Sequence, residues 1–205
     1  SHVRTKVNGM LLVIDGPSAV GKSTIARGLP DLPHCPFDLI KRYTTRLRRE
    51  SDNDDDLYEF VPHPEFRRLV EGGFFLEHKC YKFGMCYGLP VRETEKSLSE
   101  GNHALAMINL GHFGAVKSAL HNAFGVFVSA SLDTIRDRLL ARKTHPPEQI
   151  EERLGNARDS IRFQPLYDLV VVNENRRVEE VVEEIRERFL LHVRKFNASS
   201  KASGE

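Results

Sequence analysis

Gly16-Pro-Ser-Ala-Val-Gly21-Lys22-Ser23 satisfies G-x-x-x-x-G-K-[ST] at every fixed position. Met10-Leu-Leu-Val-Ile-Asp15 runs directly before it, a continuous apolar stretch of the kind a strand buried on both faces presents, and a helical start follows. That context separates a phosphate-binding loop from a glycine turn with an incidental Lys-Ser. The glycines let the backbone fold into a concave nest whose N–H groups face phosphate oxygens, and the helix N-terminus adds partial positive charge. Lys22 then reaches the terminal phosphates as a point charge, and Ser23 offers a hydroxyl to Mg²⁺. The stretch predicts a nucleoside triphosphate site.

Outward from this loop the pattern of an apolar run followed by a helix recurs. Ala104–Asn109 precedes a helical stretch around 114–121, Gly125–Ala130 precedes Leu132–Arg142, and Asp168–Asn173 precedes Val178–Phe196. Such units predict an α/β fold with a parallel sheet flanked by helices. Between the first and second units, residues from Lys41 to Tyr87 differ in character. They carry short strand-like pieces (Tyr58–Val61, Phe74–Leu76) and a short helix near Glu65–Glu71, which reads as a small inserted subdomain. The expected organisation is a single domain over 3–196, with a core of 8–40 and 100–196, an insertion of about 41–90, a helical lid of about 142–158, and a disordered Ser-, Ala- and Lys-rich tail over 197–205. Ser1-His2 is set aside from fold reasoning.

The 205 residues suit one domain, and 40% apolar with 29% charged residues is ordinary for a globular chain. Thirty basic against 29 acidic residues leave a net charge of +1, which provides no global field for nucleic acid. No apolar run approaches the roughly 20 residues of a membrane span, and no signal peptide is visible, so a cytoplasmic protein is expected. Cys35, Cys80 and Cys86 form no C-x-x-C pair and leave one unpaired under any disulfide scheme. Thiols in or near a core are expected, rather than a zinc site with His78. The run Asp52–Asp56 lacks the spacing of an EF-hand loop and reads as a solvated, mobile segment.

Among phosphate-loop proteins, a GTPase would offer N-K-x-D, which is absent, and a large ATPase an acid at the end of a later strand, where Asn109 stands instead. A small kinase fits better. Arg42-Tyr-Thr-Thr-Arg46-Leu-Arg48-Arg49 opens the inserted segment, and Arg46 and Arg49 are spaced to fork around one phosphate.

With these residues the chain resembles the guanylate kinase family. The resemblance spans G-P-S-x-x-G-K-S-T, T-T-R-x-x-R, Asp56-Leu-Tyr58-Glu-Phe60, Gly73-Phe-Phe-Leu-Glu77, Tyr87-Gly88, Arg142, Ile150-Glu-Glu-Arg153-Leu154 and Val172-Asn173. It implies ATP, held by Gly16 to Thr24 (Gly16, Pro17, Ser18, Ala19, Val20, Gly21, Lys22, Ser23, Thr24) and Asn173, with Mg²⁺ on Ser23. It also implies an acceptor phosphate gripped by Arg46, Arg49 and Tyr58, with Tyr87 as a further contact, and a guanine edge read by Glu77. Lys22, Arg46, Arg142 and Arg153 would carry the catalysis, and GMP would be the acceptor. Three positions depart from the family. Arg42 stands where a hydroxyl helps read the base, Leu89 replaces a second hydroxyl, and Met107 or Asn109 replaces an acid. Arg42, Tyr87-Gly-Leu-Pro90 and Asn109 instead resemble ribose 1,5-bisphosphate phosphokinases, which make Arg42 and Asn109 acceptor contacts and ribose 1,5-bisphosphate the alternative acceptor. Other classes weighed are a non-catalytic guanylate-kinase-like binding module and an ATP-binding regulator with no small acceptor. The expected state is a monomer or homodimer, without membrane or nucleic-acid partners.

Overall fold

Every residue of β1 (Leu11–Asp15) is buried, because neighbouring strands cover both its edges and helices cover both its faces. The computed structural model describes residues 9–33, 37–48, 53–82, 84–108, 110–143 and 145–203. After β1 the chain forms α1 (Lys22–Gly28), β2 (Phe37–Leu39), β3 (Arg42–Thr44), β4 (Tyr58–Phe60), α2 (His63–Glu71), β5 (Phe75–Cys80) and β6 (Cys86–Pro90). It continues through α3 (Val91–Ser99), β7 (His103–Met107), α4 (Phe113–Ala119), β8 (Ala123–Ser129), α5 (Leu132–Ala141), α6 (Pro147–Ser160), a 3-10 segment (Ile161–Leu166), β9 (Leu169–Val172) and α7 (Val178–Ala202).

Five strands make a fully parallel sheet in the order β2-β7-β1-β8-β9. Alternation along the strands divides the core in two. Leu12 and Ile14 of β1 join Ile25 of α1 and its C-cap Leu29, Ile135 and Leu139 of α5, and Val182, Ile185 and Phe189 of α7 on one face. Leu11 and Val13 join Leu98 of α3, Phe113 and Val116 of α4, Phe127 and Tyr167 on the other. A parallel sheet needs both faces covered, which is why its central strands are continuous apolar runs.

A second sheet has the order β4-β3-β6-β5, with β3 parallel to β4 and antiparallel to β6. Here the structure goes beyond the sequence reading. Arg42-Tyr-Thr, at the opening of the insertion, is a strand, and the piece expected at Phe74–Leu76 is a strand over Phe75–Cys80. Arg42 hides its strand from hydrophobic periodicity because its buried side chain is charged.

Two expectations are corrected. The tail does not begin at 197, since α7 runs through Ala202. The last turns contain neither Gly nor Pro, and the hydroxyls of Ser199 and Ser200 donate to the carbonyls of Lys195 and Phe196, one turn back. Cys80 and Cys86 are joined as a disulfide rather than carrying free thiols, because they face each other in register across β5 and β6 with Cα atoms 4.0 Å apart. Cys35 lies outside the described residues. No helix among the described residues is long and apolar enough to cross a membrane.

Gly125 shows how tightly the core is closed. A Cβ there would lie 2.6 Å from the Phe113 ring. Gly125→Ala is expected to lose about 1–3 kcal/mol by overpacking, which a thermal melt reads as a drop of roughly 2–4 °C per kcal/mol for a chain of this size.

Candidate active site

The loop between β1 and α1 is held from outside by its carbonyls. Gly16 O accepts from Lys22 Nζ at 2.6 Å, Ala19 O from Arg138 Nη1 at 3.1 Å, and Val20 O from Asn173 Nδ2 at 2.7 Å. By contrast, the N–H groups of Ser18, Ala19, Val20, Gly21 and Lys22 donate to nothing among the described residues. Left-handed conformations at Ala19 (φ 64°) and Gly21 (φ 95°) produce this division. Carbonyls tied outward and consecutive unclaimed N–H groups are the composition of an anion nest. Gly21 has a second constraint, since a Cβ there would lie 2.9 Å from Asn173 Nδ2.

Asp15, at the end of β1, is fully buried. It accepts the Gly16 N–H at 2.7 Å, the Gly111 N–H at 2.9 Å and the Tyr167 hydroxyl. Burial pushes its carboxyl above the ordinary range, although Lys22 and these donors oppose the rise. Burial likewise pulls the Lys22 ammonium down. Asp15 opposes that fall, and Arg42 and Arg153 add to it. Lys22 thus shares its surroundings with the Asp15 carboxylate and with two further cations, Arg42 and Arg153.

The second sheet supplies the facing groups. Arg46 lies 5.5 Å from the Tyr58 ring and 5.1 Å from the Phe60 ring, with Asp54 at 3.7 Å. The acidic run is therefore more than a solvated loop. Asp54 and Asp56 grip Arg27 of α1 at 2.9 and 2.8 Å, tying the insertion to the helix of the phosphate loop. Tyr87 is buried between Tyr58 and Tyr81. The Tyr81 phenol is pushed up to about 12, first by burial and further by Asp15, Tyr87 and Glu77, against the pull of Arg42. Tyr81 thus senses both the loop and the insertion.

Glu77 is closed on both sides. Arg42 Nη2 donates to Oε1 at 2.5 Å and His112 Nδ1 to Oε2 at 2.5 Å, with side-chain exposures of 3% for Arg42, 2% for Glu77 and 18% for His112. Burial raises the Glu77 carboxyl, but Arg42 and His112 together outweigh it and hold the group below the usual carboxylate range. The Arg42 guanidinium also lies 5.7 Å from the Tyr87 ring centre.

On the side of α5 and α6, Arg153 Nη1 donates to Ser18 Oγ at 2.7 Å. Arg142 is not brought to the loop. It caps α5, exposed, and Arg138 one turn earlier makes the contacts, bridging Ala19 O and Asn173 O at 3.1 and 2.8 Å. Asn173 is spent on the loop carbonyl, so its described contact is with the loop rather than toward a donor base. Ser23 is half-buried in the first turn of α1, its hydroxyl making no hydrogen bond among the described residues, and Thr24 beside it is exposed. A hard oxygen beside a phosphate nest suits Mg²⁺. Arg49 and Asn109 lie outside the described residues. Sequence reading missed Asp15, His112, Arg138 and Tyr81. Asp15 had left a signal, a charge ending an apolar run, and Arg138 another, its place one helical turn from Arg142.

Comparison with known proteins gives the same outline. A family model described as guanylate kinase matches residues 8–191. The guanylate kinase of Anaplasma phagocytophilum is similar in structure, with a TM-score of 0.72 at 25% identity over 91% of this chain and 87% of that one. A gluconokinase from Sinorhizobium meliloti 1021 shares the fold, with a TM-score of 0.54 at 14% identity over 95% of this chain and 99% of that one.

The Glu77 contacts set an acid limb. A carboxyl held below its ordinary value of 4.5 contributes stability that is complete above that pH and is lost as the pH falls through its folded value. Urea melts of Glu77→Gln and the unaltered chain should therefore differ at about pH 5 and above and converge on further acidification. A difference that persists undiminished through that acidification would contradict the charged assignment.

Proposed function

This chain belongs to the guanylate kinase family, and from that premise we propose that it transfers the γ-phosphoryl group of ATP to the phosphate of a small phosphorylated acceptor. The observation that carries this reading is the loop with five consecutive unclaimed N–H groups beside Lys22, faced by Arg46 and the tyrosines of the second sheet. The family and its structural neighbour make the chain a phosphotransferase of the kinase type.

The residues have distinct tasks. Loop N–H groups and Lys22 hold the donor's phosphates, and Arg153, already hydrogen-bonded to Ser18, closes over the transferring group. Mg²⁺, when bound with ATP on Ser23, would neutralise charge between the phosphates. Arg46, with Tyr58 and Tyr87, orients the acceptor phosphate, and the unplaced Arg49 belongs to the same motif. An acceptor phosphate oxygen then forms the new bond to γ-phosphorus in line as the bond to the β-bridging oxygen breaks, leaving ADP. A phosphate nucleophile is already ionised, so no general base is required, and positioning with charge neutralisation supplies the rate. Lys143 (φ 53°) marks a break before α6 at which a lid carrying Arg153 swings, with exposed Arg142 at the hinge.

GMP is the acceptor to which the family points, with Tyr58 and Glu77 at the matching positions. Ribose 1,5-bisphosphate is the second reading. The engagement of both Glu77 oxygens favours it, because an acceptor without a purine makes no demand on that carboxylate.

Release of ADP with Mg·ATP, compared between GMP and ribose 1,5-bisphosphate against an acceptor-free blank, tests the reading. Turnover that depends on one acceptor is expected, and equal release in the blank would point to an ATP-dependent regulator instead. Lys22→Ala should lower turnover by at least about a hundredfold, and because Lys22 offsets part of the burial cost of the Asp15 charge, a thermal melt of the same variant checks that it is folded. Unimpaired turnover in that variant would sink the mechanism.

A further inference from the structure

Resting on the reading that the second sheet holds the acceptor, we propose that Arg42 is a specificity-determining residue that withdraws Glu77 from the acceptor. The geometry is that of a closed ion triad. Arg42 and His112 reach different oxygens of one carboxylate at the same short distance of 2.5 Å, and the Arg42 and Glu77 side chains are almost wholly buried.

A carboxylate reads a base edge by accepting from donors that approach both its oxygens side by side, as the N1–H and exocyclic amine of guanine do. At Glu77 one oxygen is taken by a guanidinium, in a charge-assisted bond, and the other by an imidazole. The three side chains come from three elements, β3, β5 and the N-terminal boundary of α4, so displacing either donor means moving a different part of the fold. Arg42 is further confined by the Tyr87 ring beneath it. At the register partner of Glu77 on the neighbouring strand, the fully buried Leu89 offers no hydroxyl.

Each Glu77 oxygen keeps a further lone pair, but at 2% side-chain exposure neither is presented to an acceptor, so the pocket lacks a receptor for a donor-rich purine edge. A site built to hydrogen-bond a base rejects analogues lacking the matching groups by large factors. One whose carboxylate is already occupied gains nothing from those groups and does not discriminate by them. The acceptor is held by its phosphate at Arg46, and its remaining part is not selected through hydrogen bonds to Glu77.

The experiment compares GMP with inosine monophosphate, which lacks the exocyclic amine, in the unaltered chain and in Arg42→Ser. The unaltered chain should give kcat/KM values for the two within about threefold of each other. Arg42→Ser should raise kcat/KM for GMP at least about tenfold through a lower KM, and separate GMP from inosine monophosphate by a similar factor. The double variant Arg42→Ser, Glu77→Gln should lose that gain. A preference of the unaltered chain for GMP over inosine monophosphate above tenfold would overturn the proposal, as would a well-folded Arg42→Ser with no gain. If Arg42→Ser does not fold, the ratio in the unaltered chain still decides. If neither GMP nor ribose 1,5-bisphosphate supports turnover, the functional reading has failed. Calorimetric titration of the same two nucleotides into both proteins then decides the role of Arg42 separately.

Discussion

A single buried carboxylate joins the parts of this molecule that have to stay in register. Asp15 accepts from the first residue of the phosphate loop, from the segment entering α4, and from a tyrosine just before β9. These groups are far apart in sequence, and each would otherwise present an unsatisfied donor at the carboxyl end of the sheet. Burial makes the charge costly, and Lys22 with the three donors offsets that cost. Gly111 can enter this arrangement only with φ at 79°, and a Cβ there would lie 2.8 Å from the Phe163 ring. The carboxyl end of a parallel sheet is where ligands bind in such folds, so the constraint that closes the core also builds the floor of the site.

From that floor the same segment leads to the other half of the cleft. His112 follows Gly111 directly and meets Glu77 of β5, which in turn meets Arg42 of β3. A run of hydrogen bonds thus passes from the loop through Asp15, Gly111 and His112 to the second sheet. On the opposite side, Arg27 of α1 grips Asp54 and Asp56, so the insertion is tied to the phosphate loop in the interior and to the helix that follows it at the surface. The interior tie is the one protected from salt; the surface pairs are individually worth little in water.

Much of the fold was legible because its signals are local. The apolar runs at Leu11–Asp15, His103–Met107 and Ala123–Ser129 announce strands buried on both faces, and the loop motif announces its own geometry. What escaped was long-range. Arg42 reads as an acceptor contact until Glu77, 35 residues later, turns out to be its buried partner, and nothing in the intervening spacing encodes that pairing. Arg142 attracted attention by its motif position, while Arg138, on the same helix, had the reach to touch the loop. The join of Cys80 to Cys86 likewise depends on a hairpin register that the sequence does not spell out.

The outward ties of the loop carbonyls also shape how a nucleotide arrives. Gly16, Ala19 and Val20 are fixed by side chains from three different places, Lys22, Arg138 and Asn173. The ordering entropy of the loop is therefore paid when the chain folds, not when the ligand docks. On the proposed reading, a triphosphate would meet a loop whose carbonyls are already tied in place. Encounter then requires little loop rearrangement, and the slow, conformational part of the cycle shifts to the elements that close over the docked nucleotide.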